Sequence, residues 1–386
     1  MTTGRSLSII LVVMLLFGAG ALAATGLRGK GPAPDFTYTH FRNVVLADRT
    51  TLRSRWHGHN EEGRAHACGL IASAATLKED EQTLRYALDC IRDEAVTDGN
   101  RYGWGIGTSF DSGSDGSVNP AGTIYGVTFG YVANGLIDGY ETTGDATFLE
   151  MAARAADYYA QFLKPGETEG LYAAYSELEV DDQSLANVTG IVALAYARLG
   201  KQTGRDDFLA HGKAMGRNVA ADMLRSQDGP SWLYVQGVAE EYNDALHGAS
   251  TAYALARLAD VTGEDYVSRD ELRAYLLRFL TSDGCPARFA DGEAVEGYEG
   301  QPAKSWGVGM MIAALSELGL TERAETVRDC IEGYRFRPDM YGLYHGGRQN
   351  LFWPNAHLLF GVASLEAAAE KAANLDGADR PESDAT

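Results

Sequence analysis

The chain has 386 residues, 45% of them hydrophobic, with 33 basic against 53 acidic side chains and a formal net charge of −20. This length and hydrophobic content are sufficient for a large core. A surface this acidic repels phosphate backbones and anionic lipid, so composition argues against nucleic acid as a partner.

The N-terminal segment has the pattern of a targeting sequence. Arg5 precedes an apolar run over residues 7–16, and small residues follow up to Ala24. The triplet Ala21-Leu22-Ala23 suits a cleavage site, so residues 1–24 are predicted to be a signal peptide. An uncleaved membrane anchor stays open, because the segment approaches the length that spans a bilayer. Either interpretation predicts a folded part that is secreted, periplasmic or at the cell surface.

Four cysteines, an even number, fit an exported chain. Cys68 and Cys90 fall on two consecutive predicted helices that a disulfide could join, and Cys285 and Cys330 could pair in the same way. Four cysteines allow three pairings, and spacing alone does not choose among them.

A repeated turn organises the rest of the chain. Three segments share one pattern at intervals of about 60 residues, which is within the range of repeat architectures: Thr143-Gly144-Asp145, Thr203-Gly204-Arg205-Asp206 and Thr262-Gly263-Glu264. The glycine ends one helix in the left-handed conformation, and the acidic residue begins the next by accepting hydrogen bonds from free N–H groups. The pattern therefore predicts helical hairpins.

Two kinds of helix alternate along these hairpins. Helices that are apolar nearly all round begin near Arg64, Gly122, Ser184, Asn243, Ala303 and Pro354. One-sided, more charged helices begin near Glu81, Asp145, Asp206, Tyr266 and Thr321, and residues 35–55 supply a sixth. A helix that is apolar on every side is enclosed by other helices. We therefore expect an all-α (α/α)6 toroid over residues 35–372, followed by a disordered acidic tail over residues 373–386.

The connections that lead back to the inner helices are long and meet at one end of the toroid. They run over residues 97–121, 164–183, 227–242, 283–301 and 333–353 and are rich in aromatic and acidic residues. Glycine–aromatic patterns in them, such as Gly103-Trp104-Gly105, predict short β-hairpins. Long ordered loops gathered on one face are a usual place for a functional site.

This mixture of side chains suits a sugar. The C–H faces of a pyranose stack on Trp and Tyr, and glycosidic hydrolysis needs two carboxyl groups, one of them protonated. The candidate catalytic pair is Asp182 and Asp244, with Asp111 and Glu240 as substitutes. Acidic residues in front of a helix are also the usual N-caps, so a role as a cap alone stays open for each of them.

Substrate-binding candidates come from the same loops and from the first turn of each inner helix. They are Trp104, Tyr125, Asn187, Trp232, Tyr234, His247, Tyr298, Trp306, His345, Trp353 and His357. Asp244 and His247 lie one turn apart, so a carboxylate–imidazole pair is available there. The alternative for each histidine is a buried, hydrogen-bonded core residue.

Cofactor and metal motifs are missing from the sequence. His57, His59 and His66 cluster around Trp56, but without the spacing of a zinc site. No phosphate-binding glycine loop and no Gly-x-Ser-x-Gly pattern occurs. We therefore expect neither a metal nor a cofactor.

From Arg64 to Ala372, the hairpin repeat, the Thr-Gly turns and the Trp- and Tyr-lined loops make the chain resemble the six-hairpin glycosidase superfamily. Relatives with this architecture include unsaturated glucuronyl hydrolases, N-acylglucosamine epimerase-like proteins, toroidal polysaccharide lyases and glucuronyl epimerases. The resemblance implies an (α/α)6 fold and a carbohydrate ligand. It does not carry a set of catalytic residues across.

Three functional hypotheses follow. The first is a glycoside hydrolase of the cell exterior, acting on a neutral or uronate-containing oligo- or polysaccharide. The second is a lyase or epimerase in which Tyr or His removes the proton beside a uronate carboxylate, with Arg335 or Arg348 neutralising the acid. The third is a non-catalytic glycan-binding or envelope-assembly protein that uses the same cleft. The sequence leaves the oligomeric state open.

Overall fold

The computed structural model describes residues 36–51, 63–110, 118–238, 242–293, 297–348 and 352–378. The predicted signal peptide, Asp111, Glu240, His57 and His59 lie outside these residues.

Twelve α-helices make up most of the described chain. In chain order they are α1 (Tyr38–Thr51), α2 (Arg64–Leu77), α3 (Glu81–Asp93), α4 (Gly126–Thr143), α5 (Ala146–Tyr159), α6 (Ala186–Thr203), α7 (Asp206–Ala221), α8 (Ala245–Thr262), α9 (Arg269–Leu277), α10 (Ser305–Glu317), α11 (Thr321–Asp329) and α12 (Phe352–Ala378). The even-numbered helices form an inner ring and the odd-numbered helices an outer one.

The inner ring is closed. Helix α2 packs on α4, α4 on α6, α6 on α8, α8 on α10 and α10 on α12, and α12 returns to α2. Each inner helix also packs against the outer helix that follows it, and α1 covers α12. The predicted (α/α)6 toroid is confirmed, and α1, which lies within the predicted range 35–55, is the sixth outer helix.

The Thr-Gly turns form as the sequence predicts. Gly144, Gly204 and Gly263 end α4, α6 and α8 with φ near +70°. At the first of the three Thr-Gly turns, Asp145 then caps α5 by accepting a hydrogen bond from the Thr147 N–H. Helix α9 instead begins three residues later than expected, because Ser268 and Glu271 form a capping box.

Inner helices are buried along most of their length. In α6 every residue from Ala186 to Gly200 is buried, as expected of a helix surrounded by others. Small residues permit the close packing. A Cβ on Gly309 of α10 would overlap the backbone carbonyl of His357 on α12, so this pair of helices depends on glycine at the crossing.

Short antiparallel hairpins follow four of the outer helices. They pair β1 (Val96–Asp98) with β2 (Arg101–Gly103), β3 (Leu163–Pro165) with β4 (Leu171–Ala173), β5 (Leu224–Ser226) with β6 (Gly229–Ser231), and β7 (Arg335–Arg337) with β8 (Met340–Tyr341). Each hairpin lies in a connection that returns to an inner helix. The hairpins therefore collect at the end of the toroid where the inner helices begin.

Two disulfides join neighbouring segments. Cys68 pairs with Cys90 and links α2 to α3, and Cys285 pairs with Cys330 and links the loop after α9 to the end of α11. No helix among the described residues is long and apolar enough to cross a membrane.

The last helix extends further than the sequence analysis allowed. Helix α12 ends at Ala378 and so includes residues 373–378, the first part of the predicted tail. The alanine-rich run over residues 367–373 favours helix up to that point.

Candidate active site

The candidate site lies where the inner helices begin. Because all six run in the same direction, the residues of their first turns meet at one mouth of the toroid. Those that the sequence singled out are Tyr125 directly before α4, Asn187 on α6, His247 on α8, Trp306 on α10, and Trp353 and His357 on α12.

Ring contacts connect these residues around the mouth. Ring centroids are 5.4 Å apart for Tyr125 and Tyr175, and 4.7 Å apart for Tyr234 and His247. They are 4.5 Å apart for Trp306 and Trp353. The structure thus brings most of the predicted binding residues into one aromatic floor.

His247 is oriented by Asp244. Asp244 is the N-cap of α8, and its Oδ1 accepts hydrogen bonds from the backbone N–H groups of Leu246 and His247 at 3.0 and 3.1 Å. The same oxygen lies 2.7 Å from Nδ1 of the His247 ring. A carboxylate can only accept this bond, so Nδ1 carries a proton, and in the neutral form of the ring the lone pair is on Nε2.

The environment keeps Asp244 ionised. Burial alone would raise its pKa, but the charge of His247 and the hydrogen bonds from that residue lower the pKa to about 2. Asp244 is therefore both a helix cap and the acceptor that orients an imidazole. It is not suited to act as a general acid.

His357 is fixed in the same tautomer by a different acceptor. Its Nδ1 lies 2.8 Å from the carbonyl oxygen of Trp353, so Nδ1 donates and Nε2 has the lone pair. That Nε2 is buried and has no hydrogen-bond partner among the described residues. Burial lowers the pKa of His357 to about 4, and the charge of His247 acts in the same direction.

His66 adds a third imidazole, buried like that of His357, which the sequence patterns did not assign to the site. Its ring centroid lies 5.2 Å from that of His357 and 4.3 Å from that of Tyr131. Burial, and next the charge of His357, hold its pKa well below the usual value. Its place in the first turn of α2 matches the position of the other floor residues, and this repeat position was the signal for it.

The predicted carboxylate pair does not form among the described residues. Asp182 is exposed and binds hairpin β3–β4, with its Oδ1 accepting from the Tyr172 hydroxyl at 2.8 Å and its Oδ2 3.7 Å from Lys164 Nζ. The buried carboxylate of this loop is Asp181, which Asn119 and Ser176 hydrogen-bond. Asp182 also caps no helix, since α6 begins after Leu185.

Two predicted sugar-stacking residues are core residues instead. Trp104 and Trp232 are fully buried. Their Nε1 atoms donate hydrogen bonds of 2.8 Å to the carbonyl oxygens of Ile91 and Val219, thirteen residues upstream in each case. Both indoles therefore lock a hairpin onto the preceding outer helix, and neither can stack on a ligand.

The remaining candidates lie at the rim. Tyr298 is partly exposed and stacks with the guanidinium of Arg288, whose Cζ is 4.3 Å from the ring centroid. His345 is exposed and packs edge-on against Tyr334, away from the floor residues. Within the described ranges, no three His, Cys, Asp or Glu side chains are arranged to hold a metal ion.

Comparison with solved structures gives many matches to this fold. The α-mannanase of glycoside hydrolase family 76 from Bacteroides thetaiotaomicron superimposes with a TM-score of 0.62 at 12% identity, over 88% of this chain and 97% of that one. The cellobiose 2-epimerase of Bacillus thermoamylovorans gives 0.58 at 12%, over 84% and 98%. An unsaturated glucuronyl hydrolase specific for heparin gives 0.57 at 12%, over 88% and 98%.

These likenesses, at 12% identity, confirm the predicted (α/α)6 toroid fold. No protein-family model matches the chain, and no curated protein does.

Proposed function

We propose that this protein is a carbohydrate-active enzyme that removes a C–H proton from its sugar with a histidine, as epimerases and lyases do. The observation that carries the proposal is the pair of imidazoles His247 and His357. In both, an acceptor holds Nδ1 and leaves the Nε2 lone pair for chemistry. A toroid fold shared with a mannanase, a sugar epimerase and a glucuronyl hydrolase supports the choice of ligand class.

The two imidazoles have different roles. Asp244 stabilises the imidazolium that forms when His247 takes a proton, so His247 is the better base. The carbanion that remains either regains a proton on its other face, which gives the epimer, or expels a leaving group, which gives an unsaturated sugar. Burial lowers the pKa of His357 to about 4, so this second imidazole is neutral near pH 7. In the proposal its Nε2 takes a proton from solvent only transiently and passes it to the other face of the carbanion.

The aromatic floor holds the sugar. Trp353 and Trp306 lie edge to face beside the histidines and are partly exposed, unlike Trp104 and Trp232. Indole faces bind the C–H faces of a pyranose, and such contacts exclude water from the reacting carbon.

A glycoside hydrolase is the second candidate, and it depends on carboxyl groups that the structure does not describe. Asp244 stays ionised, so hydrolysis would need another residue as the acid. Burial raises the pKa of three described carboxyl groups, but Asp222 caps the C-terminus of an outer helix, Glu293 pairs with Arg278, and Glu317 pairs with Arg257. Asp111 and Glu240 thus remain the acids on which the hydrolase hypothesis rests.

The proposal includes action outside the cytoplasm. It is supported by the targeting pattern of residues 1–24 and by two disulfides, which persist in oxidising compartments.

Proton NMR in heavy water, on the purified protein with a panel of neutral and acidic oligosaccharides, tests the reaction class. Deuterium at a sugar carbon without cleavage is the result expected of an epimerase, and a vinylic proton is that of a lyase. New reducing ends with no exchange at carbon would replace the proposal with the hydrolase.

A further inference from the structure

Two cations near Asp244 form no ion pair with any carboxylate that the structure describes. Ion pairs with Asp or Glu engage many of the described arginines and lysines, from Arg42 to Arg335. Arg288 and Lys304 form neither an ion pair nor a side-chain hydrogen bond within the part of the chain that the structure describes. Other described cations without an ion pair, such as Arg154, Lys201 and Arg337, are exposed, whereas Arg288 and Lys304 are half-buried.

Arg288 is held rigidly at the edge of the site. Its backbone N–H donates to the Gln301 carbonyl at 2.6 Å, and its own carbonyl accepts from the Ala245 N–H at 2.8 Å. The residue is thereby fastened to the first residue of α8, directly after Asp244. Its guanidinium stacks on Tyr298, and its buried Nε has no hydrogen-bond partner among the residues that the structure describes.

Lys304 approaches the same place from the next inner helix. It directly precedes α10, and its Nζ is 4.9 Å from the centroid of Trp306 and 5.7 Å from that of Tyr344. Burial lowers the pKa of Lys304, the positive charge of Arg288 acts in the same direction, and the charge of Asp244 opposes both. Two half-buried cations that repel each other favour an anion between them.

We propose that Arg288 and Lys304 form a subsite for the carboxylate of a hexuronate residue in the substrate. The inference rests on the proposed function and names its substrate class. Arg binds a carboxylate through two parallel hydrogen bonds, and Lys adds a point charge. Because the protein as a whole repels anions, a local pair of cations is what an acidic sugar requires.

The subsite would also make the C5–H bond of a bound uronate more acidic. With its carboxylate held by Arg288 and Lys304, a uronate presents C5–H to the His247 imidazole. His247 Nε2 takes the C5 proton, and the electron pair moves into the carboxylate, where the two cations stabilise the added charge. The electron pair then returns to C5, which takes a proton on its other face. Alternatively, it forms the C4=C5 bond as the 4-O substituent leaves.

Binding measurements test the subsite without relying on turnover. The full-length protein is titrated in a calorimeter with D-glucuronate, D-galacturonate and D-mannuronate, with the three neutral hexoses, and with glucose 6-sulfate. The variants are Arg288→Gln and Lys304→Gln. The matched control is Arg225→Gln, which removes an exposed arginine paired with Glu271 on the outer surface.

We expect at least one uronate to bind 10-fold or more tighter than its neutral counterpart. Both site variants should lose that advantage while their affinity for neutral sugars and their melting temperatures stay unchanged, and Arg225→Gln should behave as wild type. Uronates that bind no tighter than neutral sugars, undetectable binding of all of them, or equal losses in the control would overturn the proposal. Tighter binding of the sulfate ester than of every uronate would also overturn it.

The two proposals fail separately. Uronate binding that depends on Arg288, without deuterium exchange at carbon, would retain the subsite and remove the proton-transfer chemistry. Deuterium exchange into a neutral sugar, without tighter binding of uronate, would retain the proton-transfer chemistry and remove the subsite.

Discussion

Asp244 Oδ1 and His247 Nδ1 lie 2.7 Å apart, across the first turn of α8. The same oxygen accepts hydrogen bonds from free backbone N–H groups of that turn. The N-cap that fixes the carboxylate therefore also orients the imidazole. Asp244 therefore has two roles, as the cap of α8 and as the acceptor that orients His247. Substitutions at position 244 should separate the two roles.

Asp244→Asn should lower the turnover number by at least about 100-fold, because the neutral amide no longer stabilises the imidazolium of His247. Its free energy of unfolding should change by less than about 1 kcal/mol, since Asn is also a good N-cap. Asp244→Ala should lose comparable activity and, in addition, about 1 kcal/mol of stability. Urea unfolding and initial rates measure both quantities. Full activity in Asp244→Asn would mean that the residue is a cap only.

Stability should depend on pH through His357. Burial lowers its folded-state pKa to about 4, while the unfolded value is near 6.5. Between these values the unfolded chain binds a proton and the folded protein does not, so stability falls as the pH drops through this window. The loss is on the order of 3 kcal/mol for this group when the pH reaches about 4.

The variant His357→Asn removes this loss, because Asn keeps a donor for the Trp353 carbonyl but does not titrate. Unfolding free energies at pH 7 and pH 4.5 should differ less in the variant than in wild type. Asp244 titrates below this window and does not disturb the comparison. An equal drop in both proteins would contradict a buried, neutral His357.

Glycine at the α10–α12 crossing should be essential for both packing and the site. A methyl group at Gly309 meets the backbone of His357, so Gly309→Ala should cost about 1–3 kcal/mol or more and displace the imidazole. The matched control is Gly190→Ala on α6, where the new Cβ would lie 3.3 Å from that of Ala254. Helix propensity favours Ala there by up to about 1 kcal/mol. Thermal unfolding of the two variants checks the contrast, and equal stabilities would contradict the packing described.

Sequence patterns predicted the fold in detail because each inner helix repeats the same physical requirements. Thr-Gly turns, helices apolar on all sides and long returning loops each appear several times, and the structure has each of them. The contact between Asp244 and His247 could also be predicted from the sequence, since residues one turn apart on a helix are neighbours.

The loop residues were harder to assign. The sequence around Trp104 and Trp232 resembles that around an aromatic residue that binds sugar. Only the fold shows that each indole donates a hydrogen bond to a carbonyl oxygen thirteen residues upstream. Asp181 and Asp182 differ by one position, yet the first is buried and the second exposed. Arg288 and Lys304 come from separate loops, and their lack of carboxylate partners is a property of the packed structure alone.

Deuterium wash-in at the sugar carbon, catalysed by wild type, His247→Asn and His357→Asn, tests the central claim most directly. Asn at position 247 retains a donor for Asp244 and removes Nε2, so a folded, ligand-binding His247→Asn protein should exchange at least about 100-fold more slowly than wild type. His357→Asn should slow the formation of the epimer or the unsaturated product more than it slows the exchange itself. Exchange at the wild-type rate in His247→Asn would contradict the account.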